Sequence, residues 1–110
     1  MIKIVYNRDG LKFDLSVKAI DWLNEKGLPV LANGCTMVEG GYLAEIPRHH
    51  PLLVKCVETL GQEANEPYVS DLSIREIGGT QYEIWSDHYG VETVYTPEDF
   101  TWVEVSDENL

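Results

Sequence analysis

Basic residues are scarce in the second half of this chain. Between residues 56 and 110, Arg75 is the single Lys or Arg against thirteen Asp and Glu, whereas residues 1–55 hold seven basic and six acidic side chains. The net charge of the whole chain is −11. A surface this negative repels phosphate groups and anionic lipid. We therefore expect no direct binding to nucleic acid and no membrane association, and a partner whose surface is basic.

Cysteines are few, and long apolar runs are missing. Cys35 and Cys56 lack the spacing of metal ligands, and the side chains of the adjacent His49 and His50 diverge, so we expect no metal site and no cofactor. Residues 1–7 lack the apolar core of a signal peptide, and no stretch approaches the ~18 apolar residues of a membrane span. These absences predict a soluble, cytoplasmic protein with reduced thiols.

Sequence signatures of catalysis are missing as well. The chain has no nucleophile elbow, Walker-type loop, zinc-protease motif or dinucleotide-binding glycine motif. Its adjacent carboxylates, at residues 98–99 and 107–108, lie in a predicted turn and in the tail, where solvation explains them. We therefore expect no catalytic residues and a protein that is not an enzyme.

Apolar residues are plentiful enough for one core. The chain is 44% hydrophobic, with three Trp and six Tyr, and its 110 residues suit a single domain spanning residues 1–110. The alternation of Ile2, Ile4 and Tyr6 predicts a first, half-buried strand. The irregular segment 31–47 leaves room for a short strand or hairpin through residues 36–38 and 42–46.

Two helices have clear start and stop residues. Ser16 stands at an N-cap before residues 17–26, and Gly27 follows, with Val17, Ala19, Ile20 and Leu23 on the predicted buried face. Pro51 suits the first position of a second helix. The apolar stripe of that helix consists of Leu53, Val54, Cys56, Val57 and Leu60. Gly61 ends it, or residues 62–65 extend it by one turn.

From residue 68 onward the hydrophobic period is two. Residues 71–77 and 81–86, joined by Gly78-Gly79-Thr80, predict a β-hairpin. A turn at 87–90 precedes a strand at 91–95, residues 96–99 predict one helical turn, and residues 101–105 predict a last strand. The fold class is α+β: a single small domain with a mainly antiparallel β-sheet of four to six strands packed with two α-helices.

Strand alternation predicts an outer face on this C-terminal sheet. If Tyr82 and Ile84 face the core, and Val91, Thr93 and Tyr95 do so on the next strand, the intervening residues face outward. That face then carries carboxylates around tryptophans, which favours a protein-binding surface: Glu83, Trp85, Glu92, Trp102 and Glu104. The alternative is that the helices cover this face and the tryptophans belong to the core.

The start of the second helix offers two further interpretations. His50 is placed to fix the helix entry by a hydrogen bond, with a strand carboxylate as one candidate partner. Alternatively, Arg48 and His50 beside the free N–H groups of a helix N-terminus form a small anion site, joined by Arg8 and Lys12 from a nearby loop. Such a site would suit a nucleotide-like ligand.

Three segments resemble a family of small accessory proteins of tailed bacteriophages. The family has a strand-to-helix step, an Arg-x-His-Pro-x-Leu-Val-x-x-Val-Glu-x-Leu-Gly middle helix with a following Ala-Asn, and a closing acidic hairpin. The matching residues here are Phe13, Leu15 and Ser16; Arg48, His50, Pro51, Leu53, Val54, Val57, Glu58, Leu60, Gly61, Ala64 and Asn65; and Tyr82, Ile84, Gly90, Glu92 and Val94. The chain departs from the family at Leu11-Lys12, in a shorter loop before Arg48, and in the turn at 87–90, which has an extra residue.

The resemblance implies a phage-borne, non-structural accessory protein in a host cytoplasm, and it assigns no residue a role. We expect inhibition of a host or defence protein through the acidic sheet face, because the charge balance favours a basic partner. The alternatives are a binder that sequesters a nucleotide-like molecule through Arg8, Arg48 and His50, and an accessory fold with no recoverable partner. The oligomeric state stays open, a homo-oligomer included.

Overall fold

The computed structural model describes residues 1–31, 35–37 and 43–100, and within them the predicted α+β fold is confirmed. The described strands are antiparallel and form three small sheets, ordered β1-β5, β2-β3-β4 and β6-β7. In chain order the elements are β1 (Ile2–Asn7), α1 (Val17–Glu25), β2 (Val30–Leu31), β3 (Cys35–Met37), β4 (Leu43–Glu45), α2 (Pro51–Leu60), β5 (Leu72–Ile77), β6 (Glu83–Ser86) and β7 (Glu92–Tyr95). Two short 3-10 helices add Gly61–Ala64 and Pro97–Asp99.

Strand β1 is buried on both faces, rather than on one face as the alternation predicts. Val5 packs into the main core with both helices, whereas Ile4 lies on the other side against Ile77 and Val94. Both side chains are fully buried. Side chains alternate across a strand, so β1 separates a larger helical core from a smaller one under the β6–β7 hairpin.

Helix α1 begins and ends as predicted. The Ser16 side chain accepts a hydrogen bond from the backbone N–H of Ala19, and its hydroxyl donates to the carbonyl of Glu63. Ala19 and Leu23 are buried and Ile20 packs partly against them, but Val17 is 70% exposed. Val17 is the first residue of the helix, so its side chain projects beyond the packed turns.

Helix α2 also matches its prediction. Pro51 is its first residue, the buried side chains are Leu53, Val54, Cys56 and Val57, and Leu60 packs partly against the core. Gly61 ends the α-helix with a φ of 58°, a conformation that favours glycine, and a 3-10 turn extends the segment to Ala64. The predicted hairpin in the irregular segment is present as β3 and β4.

The predicted hairpin between residues 71–77 and 81–86 is wrong. Strand β5 pairs instead with β1, from Ile2↔Ile77 to Asn7↔Leu72, and β6 pairs with β7. Both strands of the first pair have six residues and both strands of the second have four. Strand β1 needs a long partner to satisfy its backbone, so the six-residue β5 serves that role despite its distance in sequence.

Within the described part of the chain, neither α-helix has the length and apolar character of a membrane span.

Candidate functional site: an acidic aromatic groove on the β6–β7 hairpin

The two faces of the β6–β7 hairpin differ sharply in environment. On the inner face Ile84 lies opposite Val94, and both pack against Ile4 and Ile77. Glu83 and Trp85 face outward and are exposed, as predicted. On β7 the predicted orientation is wrong, because Glu92 and Val94 are buried and Thr93 is exposed.

Glu92 therefore does not belong to an outer acidic surface. Its carboxylate receives two hydrogen bonds from the Arg48 guanidinium, from Nη1 to Oε1 at 2.6 Å and from Nη2 to Oε2 at 2.9 Å. Both side chains are 9% exposed. The backbone N–H of Asn7 donates to the same carboxylate at 2.8 Å. A buried carboxylate is tolerated only with such partners, so the ion pair explains why a glutamate faces inward here.

Arg48 is a structural residue with several partners. Its Nη2 also binds Glu45 Oε1 at 2.6 Å, and its guanidinium carbon lies 3.6 Å from the centre of the Phe13 ring. Burial acts to lower the pKa of Arg48, but the hydrogen bonds that the guanidinium donates to Glu92 and Glu45 outweigh it, and the pKa is raised. The guanidinium is thus permanently charged and enclosed by carboxylates.

Asn7 is a fully buried polar side chain that sequence reasoning missed. Its amide donates to the carbonyls of Gly10 and Gly90, and its oxygen accepts from the backbone N–H groups of Gly10 and Asp71. Gly90 has a φ of 89°, and a Cβ there would lie 1.6 Å from the Leu11 carbonyl oxygen. Asn7, Asp9 and Gly10 are residue types typical of turns, but no local pattern predicts a contact between Asn7 and Gly90, which are 83 residues apart.

Three aromatic rings cluster on the outer side of the hairpin. The ring centres of Trp85 and Tyr95 are 4.8 Å apart, those of Tyr95 and Phe100 are 5.8 Å apart, and those of Trp85 and Phe100 are 6.4 Å apart. Trp85 is 52% exposed and Phe100 is 49% exposed. The Trp85 indole N–H donates to the Glu83 carboxylate at 3.1 Å. We call Glu83, Trp85, Tyr95 and Phe100 the acidic aromatic face.

An open groove of about 420 Å³ runs beside this face, and this volume lies within the ~300–1,000 Å³ typical of ligand pockets. Its lining residues lie at and just before the start of β6, at the end of β7, and in or beside the 3-10 turn that follows: Gln81, Tyr82, Glu83, Tyr95, Thr96, Pro97 and Phe100. The Tyr82 hydroxyl lies 2.7 Å from His49 Nδ1, and burial raises the pKa of that hydroxyl. No Lys or Arg stands among these described lining residues.

The turn at one end of the groove is held by a reciprocal cap. Asp99 accepts hydrogen bonds from the backbone N–H and hydroxyl of Thr96, as the predicted helical turn implied. The Thr96 N–H, supported by the Arg75 guanidinium, holds the pKa of the Asp99 carboxyl below its usual value of 3.8. Arg75 donates to Asp99 and to the Val94 carbonyl, so the only cation of the second half is already engaged.

The residues of the alternative nucleotide site have separate partners. Arg8 lies 3.4 Å from Asp71, Lys12 lies 3.9 Å from Asp14, and Arg48 is enclosed as described. The His50 side chain accepts from the backbone N–H of Leu52 at 3.1 Å, which confirms that it fixes the helix entry. The predicted strand-carboxylate partner is replaced by the backbone of the helix itself.

Ion pairs between the two halves of the chain engage four of the thirteen acids of the second half. Four basic residues of the first half each bind an acid of the second half: Lys3–Glu58 at 2.7 Å, Arg8–Asp71 at 3.4 Å, Lys18–Glu63 at 2.5 Å and Arg48–Glu92 at 2.6 Å. Glu83 forms no ion pair within the described residues. The excess negative charge is therefore locally uncompensated at the acidic aromatic face.

Two of the predicted binding residues, Trp102 and Glu104, and the predicted last strand lie outside the described residues. In the described ranges no three or more His, Cys, Asp or Glu side chains come together to hold a metal ion. Comparison of the chain with protein-family models, with curated proteins and with solved structures finds no match.

Proposed function

We propose that this protein acts by binding a partner protein that presents a basic surface, with the acidic aromatic face as the contact, and that it acts without catalysis. The observation that supports the proposal is the cluster of three aromatic rings, two of them exposed, beside an open groove and beside Glu83, which forms no ion pair with a described residue. Aromatic residues are enriched at protein interfaces, where they contribute much of the binding energy.

The charge of the molecule favours a basic partner. The net charge is −11, and the basic residues that lie in the second half or contact it through ion pairs are already bound to acids. Complementary charge accelerates encounter and selects against acidic competitors. Nucleic acid and anionic lipid are repelled by the same field.

The resemblance to phage accessory proteins supports a biological setting for this proposal. In that setting the partner is a host or defence protein in the bacterial cytoplasm, and binding inhibits it. A nucleotide-binding function remains the second hypothesis from the sequence. No described contact favours it, because Arg8, Arg48 and His50 each have an intramolecular partner.

Affinity capture from bacterial extract with matched variants tests the proposal. Trp85→Ala and Glu83→Lys remove the aromatic and acidic parts of the face, and Tyr89→Ala and Glu25→Lys serve as controls. Tyr89 is an exposed aromatic of the same hairpin that does not line the groove, and Glu25 is an exposed acid on α1. We expect one protein with a basic surface to bind the native chain and both controls, and to rebind after purification.

The face variants should lose that protein while keeping the native circular dichroism spectrum. Equal recovery of the same protein by Trp85→Ala, Glu83→Lys and the native chain would remove the acidic aromatic face from the interaction.

A further inference from the structure

We propose that the groove receives an arginine side chain of the partner, with its guanidinium stacked on an aromatic ring and paired with Glu83. This inference rests on the proposed function and names the chemical group that the face recognises. It follows from the composition of the groove, the state of the Glu83 carboxylate, and the way that this chain holds its own Arg48.

The groove combines aromatic walls with one acid. Tyr82, Tyr95 and Phe100 contribute rings, and Glu83 contributes a carboxylate. The Tyr95 and Phe100 ring centres, 5.8 Å apart, are joined by the Trp85 ring at 4.8 Å and 6.4 Å from them. A cation over such rings is attracted by their electron-rich faces. An apolar ligand would leave the negative charge of Glu83 without a cation, whereas a cationic ligand matches both the rings and the carboxylate.

The Glu83 carboxylate is oriented but not neutralised. The Trp85 indole N–H binds its Oε2 at 3.1 Å, which ties the carboxylate to the aromatic cluster. The side chain is exposed, and it makes no ion pair with a described cation. An ionised carboxylate has about four acceptor positions. One hydrogen bond from the indole therefore leaves enough of them free to accept a bidentate pair of hydrogen bonds from a guanidinium.

The interior of the protein contains an arginine that is already bound by an aromatic ring and a carboxylate. Arg48 lies 3.6 Å over the Phe13 ring and donates two hydrogen bonds to Glu92. An arginine is planar, stacks on rings and binds both oxygens of a carboxylate, whereas a lysine ammonium is a strongly hydrated point charge. The groove repeats on the surface the ring and the carboxylate of that internal site, but it has no described arginine of its own. Arginine is therefore the cation that it fits best.

A peptide titration tests this inference without any partner protein. The probes are three acetylated and amidated tripeptides, Gly-Arg-Gly, Gly-Lys-Gly and Gly-citrulline-Gly, followed by two-dimensional NMR of the native chain. We expect the arginine peptide to shift the Trp85 indole signal and the amide signals of Glu83, Tyr95 and Phe100 with saturation. The lysine peptide should bind several-fold more weakly, and citrulline, which has the shape of arginine without its charge, should not bind.

Variants give the matched comparison. Glu83→Gln keeps an acceptor for the Trp85 indole and should weaken arginine binding by about tenfold, the size of one lost charge-assisted hydrogen bond. Phe100→Ala should also weaken it, whereas Glu25→Gln should leave it unchanged. Binding of citrulline or lysine as tight as that of arginine, or no saturable shift at the groove, would overturn the arginine inference. Failure of the arginine inference would leave the proposed function open. If other groups of the partner formed the interface, Trp85→Ala would still lose the partner in the capture experiment.

Discussion

The side chain and backbone of Arg48 connect four separate parts of the chain. The Arg48 carbonyl accepts from the backbone N–H of Val5 on β1, and its guanidinium contacts Glu45 on β4, Glu92 on β7 and the Phe13 ring. A buried charge is costly unless it is paired, so each of these contacts matters most when another is removed.

We predict that Arg48→Met lowers the free energy of unfolding by roughly 3 kcal/mol, because Glu92 is left as a buried, unpaired carboxylate. The double variant Arg48→Met/Glu92→Gln should recover at least about 1 kcal/mol, since glutamine removes the charge and still accepts from Asn7 N–H. Urea denaturation followed by tryptophan fluorescence measures both.

Arg8→Met is the control for Arg48→Met. The Arg8 side chain is 64% exposed and lies 3.4 Å from Asp71, so its loss should cost no more than about 1 kcal/mol. Equal stabilities of Arg48→Met and the native chain would contradict a structural role for the Arg48–Glu92 pair.

The role of Arg48 shows what sequence reasoning cannot reach at the scale of one residue. An arginine before a helix start is compatible with an anion site and equally with an internal ion pair, because the sequence does not reveal which carboxylates surround it. The predicted alternation of β7 placed Val91, Thr93 and Tyr95 inside and therefore Glu92 outside. The pairing of Ile84 with Val94 turns Val94 and Glu92 toward the interior instead. The ion pair with the buried Arg48 offsets the cost of burying the Glu92 carboxylate.

Cys56 gives a prediction with a defined pH window. Its thiol is fully buried between the helices, where Sγ lies 3.8 Å from the Ala19 carbonyl oxygen, and burial raises its pKa from 9.0 to about 11. Above pH 9 the unfolded thiol loses its proton and the folded thiol keeps it. Stability should therefore fall between pH 9 and 11, by up to ~1.4 kcal/mol per pH unit.

Denaturation at a series of pH values, compared with Cys56→Ser, measures this slope. The serine variant lacks the titrating group, so its stability should fall less steeply over the same window. A Cys56→Ser slope identical to the native one would exclude the thiol as the cause.

At the scale of single elements, the entry of α2 depends on an uncommon cap. His50 Nδ1 accepts from the Leu52 N–H, and Pro51 occupies the first helical position, where a missing N–H carries no penalty. We predict that His50→Ala lowers the free energy of unfolding by about 1 kcal/mol, because the cap acceptor is lost. The variant His50→Asn supplies another acceptor and should stay within about 0.5 kcal/mol of the native chain.

Thermal and urea denaturation of the three proteins give the comparison. His49→Ala is the neighbouring control, since the His49 side chain is exposed and contacts Tyr82 rather than the helix backbone. A loss in His50→Asn as large as that in His50→Ala would mean that the imidazole packing, and not the cap, stabilises the helix.

Helices were predictable from the sequence and strand pairing was not. Ser16, Gly27, Pro51 and Gly61 are local signals, so both helices begin and end within a residue or two of their predicted limits. The pairing of β5 depends on β1, about seventy residues away, and the Gly78-Gly79 turn favours the nearer β6. If β5 paired with β6, β1 would lose its six-residue partner. The need of β1 for such a partner cannot be read from the local sequence around β5.

At the scale of the whole molecule, the acids of the second half fall into two groups: some form ion pairs within the fold, and others lie on the surface without one. Basic residues of the first half bind Glu58, Glu63, Asp71 and Glu92, so these acids stabilise contacts between the halves rather than forming a continuous acidic surface. The sequence revealed the excess of charge but not this division. Under the proposed function, the described acids without an ion pair, including Glu83, supply the field that attracts a basic partner.

This division predicts how partner binding depends on salt. Screening at 0.5 M NaCl shortens the Debye length to roughly 4 Å, so the long-range attraction that steers a basic protein toward a chain of charge −11 is largely lost. For the protein recovered by affinity capture, we expect the association rate constant to fall at least about tenfold between 0.05 and 0.5 M NaCl. The dissociation rate constant should change much less, because aromatic contacts at Trp85 and Phe100 are not screened.

Surface plasmon resonance measures both rate constants. The variants Glu83→Gln and Glu25→Gln are a matched pair, because each removes one negative charge. A charge at the contact acts over the shortest distance, so Glu83→Gln should raise the dissociation rate constant while Glu25→Gln leaves it near the native value. If the association rate constant were independent of salt, the negative field would have no part in recognition, and the partner would have to be selected by the aromatic rings alone.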